Sequence, residues 1–249
     1  MTVEAKIEGY YLYCIVETSD QKLDSSDVDA TFISFQSLTA VVRQVNSLDR
    51  IEDEEKVKNL IKTHQSVINA TLEKNLPVIP FTLDMIIKGG EEELKKWLEE
   101  NYLRLSETIE RIRNKAEYDV QIFWNPFLYI NQLYELDPEL KKLKEKAQSK
   151  QPGIAYLYAQ REKKALESLL ENKANLLFQE FYEKIKNTVI EIIVGKTKKI
   201  DDEKQMVLHV SCLINKDQES LLGDLLDDIE KQGYSVRFTG PWPVYSFVN

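Results

Sequence analysis

A helical pattern of about forty residues most constrains how this chain can fold. From Ile154 to Val194, apolar residues recur at the spacing of one helix face, and a straight helix of this length would span roughly 60 Å. Since that exceeds the width of a compact domain, we expect the helix to bend near Glu171–Asn175 or to project beyond its own core. A chain of 249 residues is long enough for one large domain or two of ordinary size.

Composition and charge exclude several classes of protein. Hydrophobic residues make up 43% of the chain and charged residues 30%, which is typical of a soluble globular protein. The net charge of −9 argues against a nucleic-acid partner. No apolar run has transmembrane length, and Met1–Gly9 is too polar for a signal peptide, so we expect a cytoplasmic protein without membrane insertion. Cys14 and Cys212 each lie in an apolar strand pattern, which favours buried, reduced thiols over a disulfide.

The N-terminal half predicts an α+β sandwich. The run Tyr10–Val16 is apolar on both faces, which is typical of a central strand covered on both sides. Two strand-like runs, Phe32–Phe35 and Leu38–Val45, are separated by two residues and form a hairpin candidate. A helix at Glu54–Leu72 follows, then a short strand, a second helix and the strand Tyr118–Trp124. The predicted order is β-β-β-α-β-α-β, and we assign residues 1–124 to this domain.

The C-terminal half predicts a modified ferredoxin-like domain that carries the long helix, over residues 125–249. Asn125-Pro126 is a plausible boundary between the two domains. After the long helix, Met206–Ile214 has strand alternation, Ser220–Lys231 has an amphipathic helical pattern, and Ser235–Thr239 alternates as a last strand. Strand, helix, strand, helix, strand is a ferredoxin-like arrangement.

The chain ends in an aromatic tail. Gly240-Pro241 stops the last strand, and Trp242 lies between two prolines that hold its backbone extended. Tyr245 and Phe247 follow at strand spacing, and so much aromatic surface predicts a docked segment. We expect Trp242 and Phe247 to be mostly buried against the C-terminal domain.

No catalytic, cofactor-binding or metal-binding set is apparent in the sequence. His64 falls on an apolar helix face, where a lone histidine is more often a hydrogen-bonded core residue than a ligand or a base. His209 falls on the second face of its strand and is interpreted as half exposed and structural. The acidic pairs Asp201-Asp202 and Asp227-Asp228 could hold a cation, but neither brings a closed ligand set, which favours a solvated surface. We therefore expect a protein without enzymatic activity and without a cofactor.

Four strings of residues resemble the gas vesicle accessory proteins GvpF and GvpL. The most specific is the C-terminal Gly240-Pro-Trp-Pro-Val-Tyr-Ser-Phe-Val248. The others are Tyr10–Val16 with Leu38–Arg43, His64–Ile68 with Pro77–Phe81, and Pro152–Leu157, so that the resemblance covers nearly the whole chain. This chain has Pro80-Phe81-Thr82-Leu83 where the family usually carries an Arg-Phe-Gly type of sequence.

The resemblance implies an interaction protein of gas vesicle assembly, the process that gives a cell buoyancy. Members of this family are thought to bind the small hydrophobic shell protein, GvpA, and other Gvp accessory proteins. The resemblance leaves open whether the protein stays in the finished vesicle as a minor component. From the residues alone, the alternative is a cytosolic ferredoxin-like small-ligand sensor or an enzyme with an unrecognised site. The absence of a catalytic set favours the interaction protein.

Overall fold

The chain divides into two units. The computed structural model describes residues 9–18, 30–46, 53–149, 151–198 and 204–248. The first unit comprises Met1–Glu117 together with Pro241–Asn249, and the second comprises Tyr118–Gly240. The predicted division at residues 124 and 125 differs from this one in two places: the strand that precedes residue 125 lies mostly in the second unit, and the C-terminal tail lies in the first.

The first unit is a five-stranded antiparallel sheet with two helices. In chain order its elements are β1 (Gly9–Glu17), β2 (Thr31–Phe35), β3 (Leu38–Val45), α1 (Glu54–Leu72), β4 (Val78–Pro80), β5 (Ile86–Lys88) and α2 (Glu91–Ile112). The strand order is β2-β3-β1-β4, and β5 also pairs with β1. Every residue from Gly9 to Val16 is buried, which confirms the prediction of a central strand covered on both faces. The three-residue strand β5 is too short to show a period in the sequence.

The second unit has the ferredoxin-like order of elements. These are β6 (Lys115–Trp124), α3 (Pro126–Leu136), α4 (Pro138–Ala147), α5 (Pro152–Lys186), β7 (Glu191–Val194), β8 (Gln205–Asn215), α6 (Glu219–Lys231) and β9 (Ser235–Trp242). The strand order is β7-β8-β6-β9, so the first and third strands of the fold, β6 and β8, are central. The fold is modified by two extra helices, α3 and α4, and by the length of α5. Asn125-Pro126 starts α3, since the Asn125 side chain caps the helix and Pro126 takes its first position.

The long helix is shorter than the sequence pattern predicted. It is continuous from Pro152 to Lys186, without a break near Glu171–Asn175, and is about 50 Å long at 1.5 Å per residue. The last eight residues of the predicted span contain the edge strand Glu191–Val194. That assignment was wrong because Val189, Ile190 and Ile193 recur at helical spacing, although β-branched residues also favour a strand. Only the second half of the helix has buried residues, namely Leu177, Phe181 and Ile185.

The tail was predicted to dock, and it does so on the first unit. Val244, Phe247 and Val248 are buried, and Phe247 exposes 3% of its surface. Trp242 exposes 52% of its surface, so the prediction of a buried Trp242 was wrong. Proline on each side keeps the Trp242 backbone extended and leads the chain past the surface, and the buried anchors come only after it.

Candidate functional site

An apolar groove in the second unit runs beside the long helix. This α5 groove has a volume of about 720 Å³, and its apolar lining includes Phe127, Ile130, Leu170, Phe178, Val194 and Met206. Helices α3 and α5 and strands β7 and β8 each contribute part of it. Glu167 and Glu171 are the acidic residues of the lining. A groove of this size and apolarity can take an apolar segment of another chain.

The edge strand β7 forms one rim of the α5 groove. It pairs antiparallel with β8 on one side, and no other described strand pairs with it on the other. Ile193 exposes 42% and Val194 50% of its surface, although both are large aliphatic residues. An edge strand with exposed aliphatic side chains is a template on which a further strand can pair.

A hydrogen-bonded cluster surrounds His64 in the first unit. The Tyr11 hydroxyl lies 2.7 Å from His64 Nδ1, and the Phe81 carbonyl oxygen lies 3.0 Å from His64 Nε2. Because a carbonyl can only accept, Nε2 carries the proton of the neutral ring and Nδ1 accepts from Tyr11. The Tyr245 hydroxyl lies 3.2 Å from the same Nε2. His64 is thus a buried, hydrogen-bonded residue of the core, in agreement with the interpretation of the sequence.

Burial sets the protonation of this cluster. It lowers the pKa of His64 below its usual value, against the opposing effect of the hydrogen bond to Phe81, and keeps the ring neutral near pH 7. Burial also raises the pKa of Tyr245 to about 12 and raises that of Tyr11, where neighbouring Tyr13 adds to the effect. The cluster is therefore a neutral, fixed framework at physiological pH.

The docked tail completes a second cavity, the tail pocket, beside this cluster. It has a volume of about 530 Å³, and its lining includes Ile68, Phe81, Leu83, Glu117, Trp242 and Tyr245. Hydrogen bonds to Glu117 and Arg111 help to hold the tail in place. The Ser246 amide and hydroxyl donate to the Glu117 carboxylate over 2.9 Å and 2.6 Å, and the Arg111 guanidinium donates to the Phe247 carbonyl oxygen.

Three of the four strings that carried the family resemblance meet at the His64 cluster, beside the tail pocket. Tyr11, His64, Phe81 and Tyr245 come from four separate stretches, and His64 and Tyr245 are 181 residues apart. Sequence reasoning placed Tyr245 in the other domain and could not join it to His64. The available signal was the resemblance, since all four residues fall within the strings on which it rests.

The other residues considered in the sequence have structural partners. His209 Nε2 lies 2.7 Å from an Asp119 carboxylate oxygen, and its Nδ1 lies 3.2 Å from the Lys196 carbonyl oxygen. Asp228 accepts from Lys231 on α6 at 2.7 Å. Cys14 and Cys212 are buried and are not joined in a disulfide, as predicted. Asp201-Asp202 lies outside the described residues.

Neither a cluster of metal ligands nor a membrane-spanning helix occurs among the described residues. Three or more His, Cys, Asp or Glu side chains do not gather anywhere in that part of the chain in a way that could hold a metal ion. No helix there combines the length and the apolar character needed to cross a membrane.

Comparison with known proteins identifies the family. The family described as "Gas vesicle synthesis protein GvpL/GvpF" matches residues 9–249, which include both units and the tail. The chain belongs to the GvpL/GvpF family. Among curated GvpL/GvpF proteins, gas vesicle protein L1 of Halobacterium salinarum is 28% identical over 96% of this chain and 90% of its own length. Gas vesicle protein L of Haloferax mediterranei is 28% identical over 86% of this chain and 69% of its own length.

Solved GvpF structures share the fold. The crystal structure of GvpF from an Anabaena species matches with a TM-score of 0.76 at 17% identity, covering 97% of this chain and 98% of that one. GvpF from Microcystis aeruginosa matches with a TM-score of 0.68 at 16% identity, covering 97% and 99%. These matches confirm the predicted α+β class.

Proposed function

We propose that this protein is a non-enzymatic accessory protein of gas vesicle assembly that binds the hydrophobic shell protein GvpA and other Gvp accessory proteins. The observation that carries the proposal is the match of the GvpL/GvpF family to residues 9–249. The partners are those that the family resemblance implies.

The physical need for such a partner follows from the shell. A wall that keeps water out of a gas space needs subunits with one very apolar face. In water, those subunits would aggregate unless another protein covered that face or delivered them to the growing edge. An acidic protein with a net charge of −9 and an apolar groove is suited to this task, because its charge keeps the complex dispersed.

The contact we propose is the α5 groove with its rim strand β7. An apolar segment of a partner could be buried in the groove, and an extended segment could pair with the edge of β7. Apolar burial dominates the contact, so binding weakens little when salt rises from low to physiological concentration.

Gene deletion in a vesicle-forming cell tests the proposal. The deletion strain is expected to lose buoyancy, and the wild-type gene is expected to restore it. A gene carrying Val194→Asp is expected to restore it poorly, because the new charge sits on the apolar rim of the groove. Leu103→Asp is the matched control, since Leu103 is 77% exposed on α2 and is not among the residues that line the groove.

Two results would count against the proposal. Normal vesicles in a deletion strain that holds no redundant relative would remove the function in assembly. If the Val194→Asp and Leu103→Asp genes restored buoyancy equally well, the function in assembly would stand. The α5 groove would then not be the surface that binds the shell protein.

A further inference from the structure

The tail pocket contains a carboxylate, that of Glu117, which has no positive partner among the residues that the structure describes. Glu117 exposes only 7% of its surface and lines the cavity. Its hydrogen bonds come from the amide and the hydroxyl of Ser246, both neutral groups. In the part of the chain that the structure describes, no Lys or Arg side chain forms an ion pair with it. A carboxylate has about four lone-pair positions, so this one can accept from a further donor.

The rest of the pocket adds no positive charge. Its remaining lining consists of aliphatic, aromatic and neutral polar residues, including Ile61, Gln65, Asn69 and Thr82. His64 is the one residue of the lining that could carry a positive charge, and burial disfavours its protonated form. The cavity is thus mainly apolar with a single negative charge.

An apolar cavity with one negative charge favours a positively charged ligand. A nearly buried carboxylate without a counter-ion is costly to desolvate, and a cation beside it offsets that cost. The half-exposed indole of Trp242 at the same pocket adds a π face, which attracts cations and repels anions. Apolar walls suit an aliphatic stem better than a hydrated metal ion, which needs several oxygen ligands.

We propose that the tail pocket binds a lysine or arginine side chain of a partner protein, with the cationic head at Glu117 and the stem between Trp242 and the walls of the pocket. The tail acts as a binding element here, because it supplies Trp242 and Tyr245 and is fastened by the same Glu117. This inference goes beyond the apolar contact proposed above, since it concerns the first unit and a charged group.

The test uses the full-length protein and a matched pair of probes. N-acetyl-lysine methylamide and N-acetyl-norleucine methylamide have the same stem, and only the first carries a charge. Binding is followed by NMR through the indole N–H signal of Trp242, which is assigned by its absence in Trp242→Phe. The lysine probe is expected to bind about tenfold more tightly than the norleucine probe, as for a hydrogen bond to a charged group. This preference is expected to decline with added salt.

Three variants make the result specific. Glu117→Gln can still accept from Ser246, and it is expected to abolish the preference for lysine. Glu107→Gln removes the same charge from the exposed face of α2, and it is expected to keep the preference. Trp242→Leu keeps the carboxylate but removes the π face, and it is expected to weaken binding of the lysine probe more than that of the norleucine probe. For Trp242→Leu, binding is followed by calorimetry.

The proposal is overturned by any of three outcomes. Neither probe binds up to tens of millimolar, the two bind equally, or the preference for lysine survives in Glu117→Gln while thermal melts show that variant to be folded. Because the probes contain no part of the shell, these outcomes are independent of whether the α5 groove binds the shell protein.

Discussion

At the scale of single residues, His64 shows how a lone histidine serves a core. It is buried on α1, and three groups from other parts of the chain surround it: the Tyr11 hydroxyl, the Phe81 carbonyl and the Tyr245 hydroxyl. The neutral ring satisfies one donor and one acceptor at once, which an aliphatic residue could not do. Helical spacing placed His64 on the apolar face of α1, but partners so distant in sequence could not be found from the sequence.

The protonation of His64 predicts a loss of stability in mild acid. Its pKa is lowered in the folded protein, so below about pH 6.5 the unfolded chain binds a proton that the folded chain does not. The free energy of unfolding is therefore expected to be fully retained above that pH. It should fall as pH drops towards the folded pKa, by at most about 1.4 kcal/mol per pH unit for one proton. Chemical denaturation of the wild-type protein between about pH 7 and pH 5 measures this slope.

One variant tests whether His64 is the titrating group. His64→Gln is expected to be less stable at neutral pH but to lose most of the slope. An equal slope in wild-type protein and His64→Gln would show that His64 is not the group responsible.

At the scale of elements, the C-terminal tail combines a structural anchor with an exposed residue. Phe247 is buried, whereas Trp242, five residues earlier, is half exposed and lines the tail pocket. Local alternation in the sequence showed that the tail is aromatic and docked. It could not show which surface receives the tail, because that depends on Arg111 and Glu117, more than a hundred residues away.

Truncation of the two aromatic residues should therefore have different consequences. Phe247→Ala is expected to cost about 3–5 kcal/mol of unfolding free energy, because it leaves a cavity in the core. Trp242→Ala is expected to cost clearly less, under about 2 kcal/mol, because half of its surface already faces solvent. Urea denaturation of both variants measures the difference. Equal losses, or a larger loss for Trp242→Ala, would contradict this account of the tail.

At the scale of the whole molecule, the sequence predicted elements better than long-range pairing. The helix at Glu54–Leu72 was predicted with the observed bounds from its apolar period, and in the structure the Asp53 side chain caps its first turn. The hairpin of β2 and β3 was also confirmed, with Gln36 in the left-handed conformation of a tight turn. By contrast, the sequence did not show to which unit residues 118–124 and the tail belong. That depends on which sheet or core each segment joins. Segments of this kind look alike in sequence and differ only in their partners.

The same limit applies to the candidate sites. The α5 groove lies along the second half of α5, which has an apolar stripe, but its rim strand β7 was assigned to the same helix in the sequence analysis. The tail pocket was not predicted, because its residues are far apart in the sequence. They lie on α1, just after β4, at Glu117 near the start of β6, and in the tail. The family strings include the stretches around His64, Phe81 and Tyr245, but none of them contains Glu117.

Titration of the purified protein with purified shell protein, at low and at physiological salt, tests the central claim most directly. We expect saturable binding whose dissociation constant changes by less than about threefold between the two conditions, because the contact is mainly apolar. Val194→Asp is expected to weaken it, and Leu103→Asp is expected to leave it unchanged. No binding at either salt concentration would contradict the proposed function, and a steep loss of affinity with salt would contradict an apolar contact.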